Sequence, residues 1–394
     1  LAAVKFRSIT ILMLAEIGAM ALWFISAAVL PAMLLEADVS TTRQAALSSG
    51  VQAGFVVGAM VSAFFGLSDR YDPRRVFAIC AIAAAAANLA LVWTVPGGNP
   101  AILMRFITGA ALAGVYPVGM KIVVGWSRNN RGLLVGTMVG ALTLGSALPH
   151  LFSFFGGTNW RVIILIASAT SCLAGLACLW THLGPYHSKS LRFDPRSVLQ
   201  AWTNKRVRYA YLGYFGHMWE LYAMWAWIGA ISLASYSPHL QPLAAQNFST
   251  LTAFIAIAAG APVCIIAGSL ADRLGKEKIA IISMVMSGSC ALLAALTFGG
   301  PVWISFFLFV LWGIAIIPDS ALFSALVADA APPEHVGSLM TLQTAIGFAL
   351  TFFTVQLTPV VAIGLGWPTV LVLLALGPAV GIYAMMCLRR LSRL

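Results

Sequence analysis

Glu16-Ile-Gly-Ala19-Met20-Ala-Leu-Trp23 and Glu220-Leu-Tyr-Ala223-Met224-Trp-Ala-Trp227 share the pattern E-x-x-A-M-x-x-W, the second copy 204 positions after the first in a chain of 394 residues. Both copies lie inside long hydrophobic runs. A carboxylate held within a bilayer costs on the order of a few kcal/mol, so it is rarely kept without a function. One such group in each half, with matching flanks, points to a duplicated membrane protein with a central, two-sided site.

Composition supports the membrane reading. Hydrophobic residues make up 60% of the chain and charged residues only 9%, where a soluble globular chain carries roughly 25% charged residues. Apolar stretches fall at about residues 9–35, 44–66, 75–95, 100–125, 132–155, 160–182, 207–235, 247–271, 278–298, 302–327, 336–360 and 367–388. Most are near twenty residues, enough to cross a hydrocarbon core of about 30 Å at a helical rise of about 1.5 Å per residue. The alternating ten-residue segments of a transmembrane barrel are absent.

The net charge of +11 does not indicate nucleic acid, because the charge is placed by topology. With the N-terminus inside, 19 of the 23 Lys and Arg residues fall in cytoplasmic segments. Arg43 and Arg161 fall outside, and Arg105 and Lys121 fall within spans. This asymmetry gives twelve spans with both termini cytoplasmic. The expected setting is a plasma membrane, the inner membrane if the source is bacterial. The six cysteines lie in or beside apolar runs without metal-ligand spacing, so they read as small buried residues. No cofactor or metal is expected.

Other landmarks repeat at offsets of 201 to 207: Asp69-Arg70 with Asp272-Arg273, Pro117 with Pro318, Gly132 with Gly337, and Trp160 with Trp367. The expected architecture is an all-α integral membrane protein of two pseudo-symmetric six-helix bundles, residues 1–182 and 207–394. A basic cytoplasmic linker, 183–206, joins them. Asp194-Pro195 followed by Arg196-Ser-Val-Leu-Gln-Ala-Trp202 suggests a short amphipathic helix on the inner membrane surface; a basic tether is the alternative.

Gly66-Leu-Ser-Asp69-Arg70-Tyr-Asp72-Pro73-Arg74-Arg75 and Gly268-Ser-Leu-Ala-Asp272-Arg273-Leu-Gly275-Lys276 resemble the G-x-x-x-D-R-x-G-R-R loop of the major facilitator superfamily (MFS). Arg105-Phe-Ile-Thr-Gly109 resembles that family's fourth-span pattern. The first loop departs from it, with Asp72-Pro73 where the family has Gly. The resemblance implies a conformational latch in which Asp69 meets the start of the eleventh span near His335–Gly337. Arg70 and Arg131 would complete it, and Asp272 and Arg273 form the counterpart. A carboxylate suits a helix N-terminus because of the dipole and the free N–H groups.

On a continuous helix, Glu16, Met20 and Trp23 form one stripe, as do Glu220, Met224 and Trp227, with His217 one turn before Glu220. Each stripe joins a carboxylate to a polarisable side chain and an aromatic face. A carboxylate in a low dielectric favours its protonated form, and aromatic rings attract cations. The glutamates therefore suit a proton, a cationic substrate, or a structural hydrogen bond between helices. His217 suits a proton relay with Glu220. Arg105 faces the cavity, with Tyr116 on the same face, or snorkels to the interface. Asp319, beside Pro318, and Gln343 are further site candidates. The asymmetry that His217 introduces favours Glu220 as the proton site and Glu16 as the substrate or structural partner.

The expected function is secondary active transport of a small organic solute by alternating access, coupled to protons, in a monomer that is not an enzyme. No nucleotide-binding motif supplies another driving force. Two alternatives remain open: an anion transporter using Arg105 as ligand, and a transport-dead membrane sensor or scaffold.

Overall fold

Every backbone N–H and C=O in hydrocarbon must be satisfied within its own segment, which leaves the helix as the economical solution for this composition. The computed structural model of the chain describes residues 2–126, 131–157, 159–187, 198–332 and 335–391; the side chains of residues 68, 69, 131 and 198–200 lie outside that description. Among the described residues there are helices and no strand. Eleven are long and apolar enough to cross a membrane: Ala2–Met33, Thr41–Phe65, Pro73–Trp93, Asn99–Val124, Gly132–Gly156, Trp160–Cys178, Pro242–Leu274, Lys276–Leu296, Val302–Ala330, Val336–Leu365 and Trp367–Leu391. The twelfth, Lys205–Tyr236, is 32 residues long. It is less apolar than the others because it carries three basic residues, His217, Glu220 and a dense run of Tyr and Trp. Numbered along the chain, it is the seventh span.

Several spans are broken. The first is helical over Ala2–Met20 and Ile25–Met33 with a turn between, so Trp23 does not continue the stripe of Glu16 and Met20. The seventh runs unbroken through Trp227. The fourth breaks between Leu112 and Tyr116, the tenth between Ile316 and Ser320. These two breaks sit 204 residues apart, the same offset as the glutamates. The prolines that suggested the correspondence sit differently: Pro117 opens the second segment of the fourth span, where its missing N–H costs nothing, whereas Pro318 lies inside the break of the tenth.

Small residues let the spans approach backbone to backbone. A Cβ on Gly109 would stand 2.0 Å from the Val51 carbonyl, one on Gly54 1.9 Å from the Phe106 carbonyl, and one on Gly313 1.8 Å from the Ala256 carbonyl. The second and fourth spans, and the eighth and tenth, therefore pack at glycine distance. Between the halves, the fifth and eighth spans meet in the same way, with Gly136 against the Cys264 carbonyl and Gly140 against that of Ala261. The second and eleventh spans form the other seam, where Gln356 Nε2 donates to Ser49 Oγ at 2.8 Å.

The ends are fixed by local polar chemistry. At one end of the bundle, Arg43 donates to the Gly97 carbonyl at 2.6 Å and to Asn99, and Arg161 pairs with Glu36 at 2.8 Å. These two arginines thus each pin a loop. At the opposite end, Asp72 caps the third span by accepting from the Arg74 N–H, and its carboxylate pairs with the Arg74 guanidinium at 2.6 Å. The matching residue of the other loop, Gly275, takes φ of +93° instead, so Asp72-Pro73 is a different way of opening the same helix. Of the linker, Val198–Thr203 is helical; the part of the expected amphipathic helix before residue 198 lies outside the described residues. Asn204 then caps the seventh span, accepting from the N–H groups of Arg206 and Val207 while donating to the Ala330 carbonyl at the C-terminal end of the tenth.

Two outcomes follow. Gly109→Val drives side-chain atoms into the Val51 backbone and should abolish a monodisperse peak in fluorescence-detected size-exclusion chromatography. Gly364→Ala, whose Cβ meets nothing within 4 Å, should elute like the parent. The hydrogen bonds from Arg74 hold the Asp72 carboxyl below its usual range. A depressed folded-state pKa gives stability that is present above the unfolded value, about 3.9, and is lost as pH falls through the folded one. Being part-exposed, the pair contributes no more than about 1 kcal/mol. The melting-temperature gap between wild type and Asp72→Asn should therefore be small at neutral pH and close below about pH 4.

Candidate functional site

The site begins at the break in the first span, which frees the carbonyls of Leu22 and Trp23. Arg105, fully buried in the fourth span, supplies the donors: Nη2 to the Leu22 carbonyl at 3.0 Å and to that of Trp23 at 2.7 Å, Nε to the Leu47 carbonyl at 3.3 Å, and Nη1 to Asn88 Oδ1 at 3.0 Å. Asn88 is itself held by donating to Ser168 Oγ at 3.0 Å. A guanidinium has five N–H donors, and this geometry occupies four. Arg105 thus neither snorkels nor faces a cavity with an empty fork; it ties spans one, two, three and four together, and the anion reading loses its ligand.

Held by that network, Trp23 turns its ring to the centre. It packs on Phe55 at 5.1 Å, Phe348 at 5.4 Å and Tyr222 at 5.7 Å between ring centroids. Phe55 meets Phe348 at 4.4 Å, and Phe24 meets Tyr222 and Trp225. These rings come from both halves and fill the interface next to the Ser49–Gln356 bond. Trp227, the repeat partner of Trp23, instead donates its indole N–H to the Val355 carbonyl at 3.1 Å.

The two glutamates stand in opposite conditions. Glu220 is 1% exposed and both its oxygens are bonded, Oε1 by Trp312 Nε1 at 2.7 Å and Oε2 by Ser287 Oγ at 2.9 Å. Glu16 is fully buried and neither oxygen has a hydrogen-bond partner among the described residues. Its carboxylate lies against Gly119, where an added Cβ would come within 2.9 Å of Oε2 and 2.4 Å of the Met138 methyl. At the 204-residue offset, Ser287 and Trp312 correspond to Ala83 and Thr108. Thr108 spends its hydroxyl on the Met104 carbonyl. The N-terminal half therefore has the acid without its donors.

His217 is not turned to Glu220, contrary to the expected relay. Its Nδ1 lies 3.0 Å from Asp319 Oδ1, each side chain 1% exposed. That is ion-pair distance without hydrogen-bond alignment, so both Asp319 oxygens and His217 Nε2 remain without a hydrogen-bond partner among the described residues. The break in the tenth span carries Asp319, within electrostatic reach of Glu220 and Cys264. Tyr116, half-buried, is within electrostatic reach of Glu16 and Tyr214, and Tyr222 of Tyr214 and Tyr116. Gln343 is fully buried and neither amide atom has a hydrogen-bond partner among the described residues, and Met20 and Met224 are fully buried.

Of the latch residues, the side chains of Asp69 and Arg131 lie outside the described residues. Arg70 and Arg273 are exposed. Asp272 Oδ2 stands 2.8 Å from where a Cβ on Gly132 would be, at the start of the fifth span. Trp312, Ser287 and Asn88 escaped the sequence reading. Asn88 is an isolated polar residue in a run of small apolar ones, the kind of signal that marks an intramembrane hydrogen bond; Ser287 is one of three serines in its span and carries no such signal.

The sequence matches the Major Facilitator Superfamily over residues 12–353, and the chain belongs to that family of membrane transporters. It is thus a multi-pass membrane protein and not an enzyme. The Uncharacterized transporter ESBP6 of Saccharomyces cerevisiae is 25% identical over 193 residues, 46% of this chain but only 28% of the yeast protein. In fold, the chain is similar to a D-xylose-proton symporter (TM-score 0.74, 12% identity, 97% of each chain). It is also similar to the nucleoside transporter NupG (0.69, 17%, 98% of this chain and 99% of that one). A third likeness is to a bacterial homologue of the human lysosomal transporter Spinster (0.73, 13%, 98% and 97%).

Arg105→Lys keeps the charge and loses the fork. Leaving the freed carbonyls short of donors should cost roughly 3 kcal/mol or more, read as a lower melting temperature in detergent together with altered near-ultraviolet circular dichroism from Trp23. Asn88→Ala should cost less, about 1–3 kcal/mol.

Proposed function

We propose that this protein is a proton-coupled secondary transporter of a small organic solute, working as a monomer by alternating access. The halves 1–182 and 207–394 rock about the linker 183–206, with both termini cytoplasmic in a plasma membrane, the inner membrane if bacterial. The observation that carries the coupling is the His217–Asp319 pair, 3.0 Å apart and 1% exposed, at the break of the tenth span. A buried carboxylate and imidazole at that distance exchange a proton with little movement. Both Asp319 oxygens and His217 Nε2 have no hydrogen-bond partner among the described residues, which leaves the pair free to bond differently when the local packing changes. Glu220, with both oxygens bonded by neutral donors, supports the pair as a neighbouring fixed acid. In this division the C-terminal half carries the proton and Glu16 in the N-terminal half meets the solute. The Asp272 carboxylate beside Gly132 supports a latch between the eighth and fifth spans on the inner side.

A thermal-shift screen of organic cations, anions, sugars and lipophilic drugs at two pH values supplies a working solute. In proteoliposomes enclosing a pH-sensitive dye, that solute should carry protons in wild type. Asp319→Asn should keep solute exchange across the membrane while losing proton movement and gradient-driven accumulation, by at least tenfold. An Asp319→Asn variant with undiminished proton flux rules the coupling site out.

A further inference from the structure

A transporter's central charge sets the sign of what it carries, and the partners of each buried charge fix that sign here. Arg105 is occupied by Leu22, Trp23, Leu47 and Asn88. Lys121, half-buried near the inner end of the fourth span, is already engaged. Glu220 is bonded by Trp312 and Ser287, and Asp319 faces His217. That leaves Glu16: fully buried, with neither oxygen bonded and no basic side chain at ion-pair distance among the described residues.

We infer that the solute is a small organic cation, an ammonium group on an aromatic or apolar body, whose charged nitrogen binds Glu16 and whose body lies beneath the rings of Trp23, Tyr222 and Phe348. This rests on the transport reading and names its substrate class. An ammonium supplies what Glu16 lacks, N–H donors and an opposite charge, and charge-assisted bonds of this kind are among the strong ones. Trp23 follows Glu16 by seven residues, beyond the turn at 21–24, and its ring meets Phe348 and Tyr222 across the interface between the halves. Aromatic faces also attract a cation electrostatically, and Met20, between Glu16 and Trp23 and fully buried, adds a polarisable contact. A neutral alcohol would offer Glu16 one O–H donor, where an ammonium offers several N–H donors and the charge that favours the ionised carboxylate. A carboxylate solute would face Glu16, Glu220 and Asp319 with no free fork to receive it.

The test compares probes of one body and different charge on the purified full chain: phenethylammonium, phenethyl alcohol and phenylacetate, with a series of larger aromatic primary and quaternary ammonium compounds. Binding is read by isothermal titration and tryptophan quenching in detergent, without a gradient. Ammonium members should bind at least tenfold more tightly than the alcohol or the acid, and Glu16→Gln should lose at least tenfold of that affinity. Phenylacetate binding as well as the amine, no binding by any ammonium member, or unchanged affinity in Glu16→Gln would each overturn the inference. Should Glu16→Gln fail to fold, the wild-type order of the probes decides alone. Because binding is read at equilibrium, ammonium binding without proton flux refutes the coupling and leaves the substrate class standing, whereas proton-coupled flux of an acid does the reverse.

Discussion

A permanent positive charge buried among the first four spans is the constraint on which the rest of the N-terminal half depends. The cost of burying a guanidinium is offset only where its donors find acceptors in good geometry. The break in the first span provides two carbonyls that have lost their helical partners, and Leu47 and Asn88 provide the others. Charge and break are thus mutually necessary. Without Arg105 the turn at 21–24 would leave carbonyls unbonded in a dry interior; without the turn Arg105 would have too few acceptors. The tenth span has Phe309 at the position matching Arg105, and the seventh stays helical through Trp227. The half with the buried arginine has the broken first span, and the half without it has the continuous seventh.

The same comparison explains why two glutamates in matching sequence settings have different surroundings. The C-terminal half carries Ser287 and Trp312 where the N-terminal half carries Ala83 and Thr108, and His217 and Asp319 where it carries Met13 and Val115. Polar residues have accumulated in one bundle, which bonds its acid. The other bundle holds an acid alone. Duplication supplied two equal frames, and the flanking positions, two or three spans away in sequence, made them chemically unequal.

Much of the fold was legible in the chain because hydrocarbon imposes a length and topology imposes a charge pattern. The span containing Lys205–Tyr236 was legible as an apolar stretch at 207–235 although it is less apolar than the others. The spans' internal breaks were not legible. Ala21–Phe24 is as apolar as its unbroken copy at 225–228, and the arginine that donates to its carbonyls stands about eighty residues away. The acids themselves were legible as costly charges, but their partners were not. A stripe drawn on one helix says which residues share a face and not what stands opposite. His217 was therefore matched to Glu220, its neighbour by one turn, when its partner lies on the tenth span.

The seam between the fifth and eighth spans is made by Gly136 and Gly140 against backbone carbonyls. Two helices that touch through their main chains have no rotamers to order when they meet and none to release when they part. Such a contact is sensitive to shape yet nearly indifferent to entropy, so it acts as a bearing surface and not as a clasp. Under the proposed alternating access, the balance between the two faces of the molecule would then fall to polar groups along the seams, the Ser49–Gln356 hydrogen bond and the Asp272 carboxylate beside Gly132.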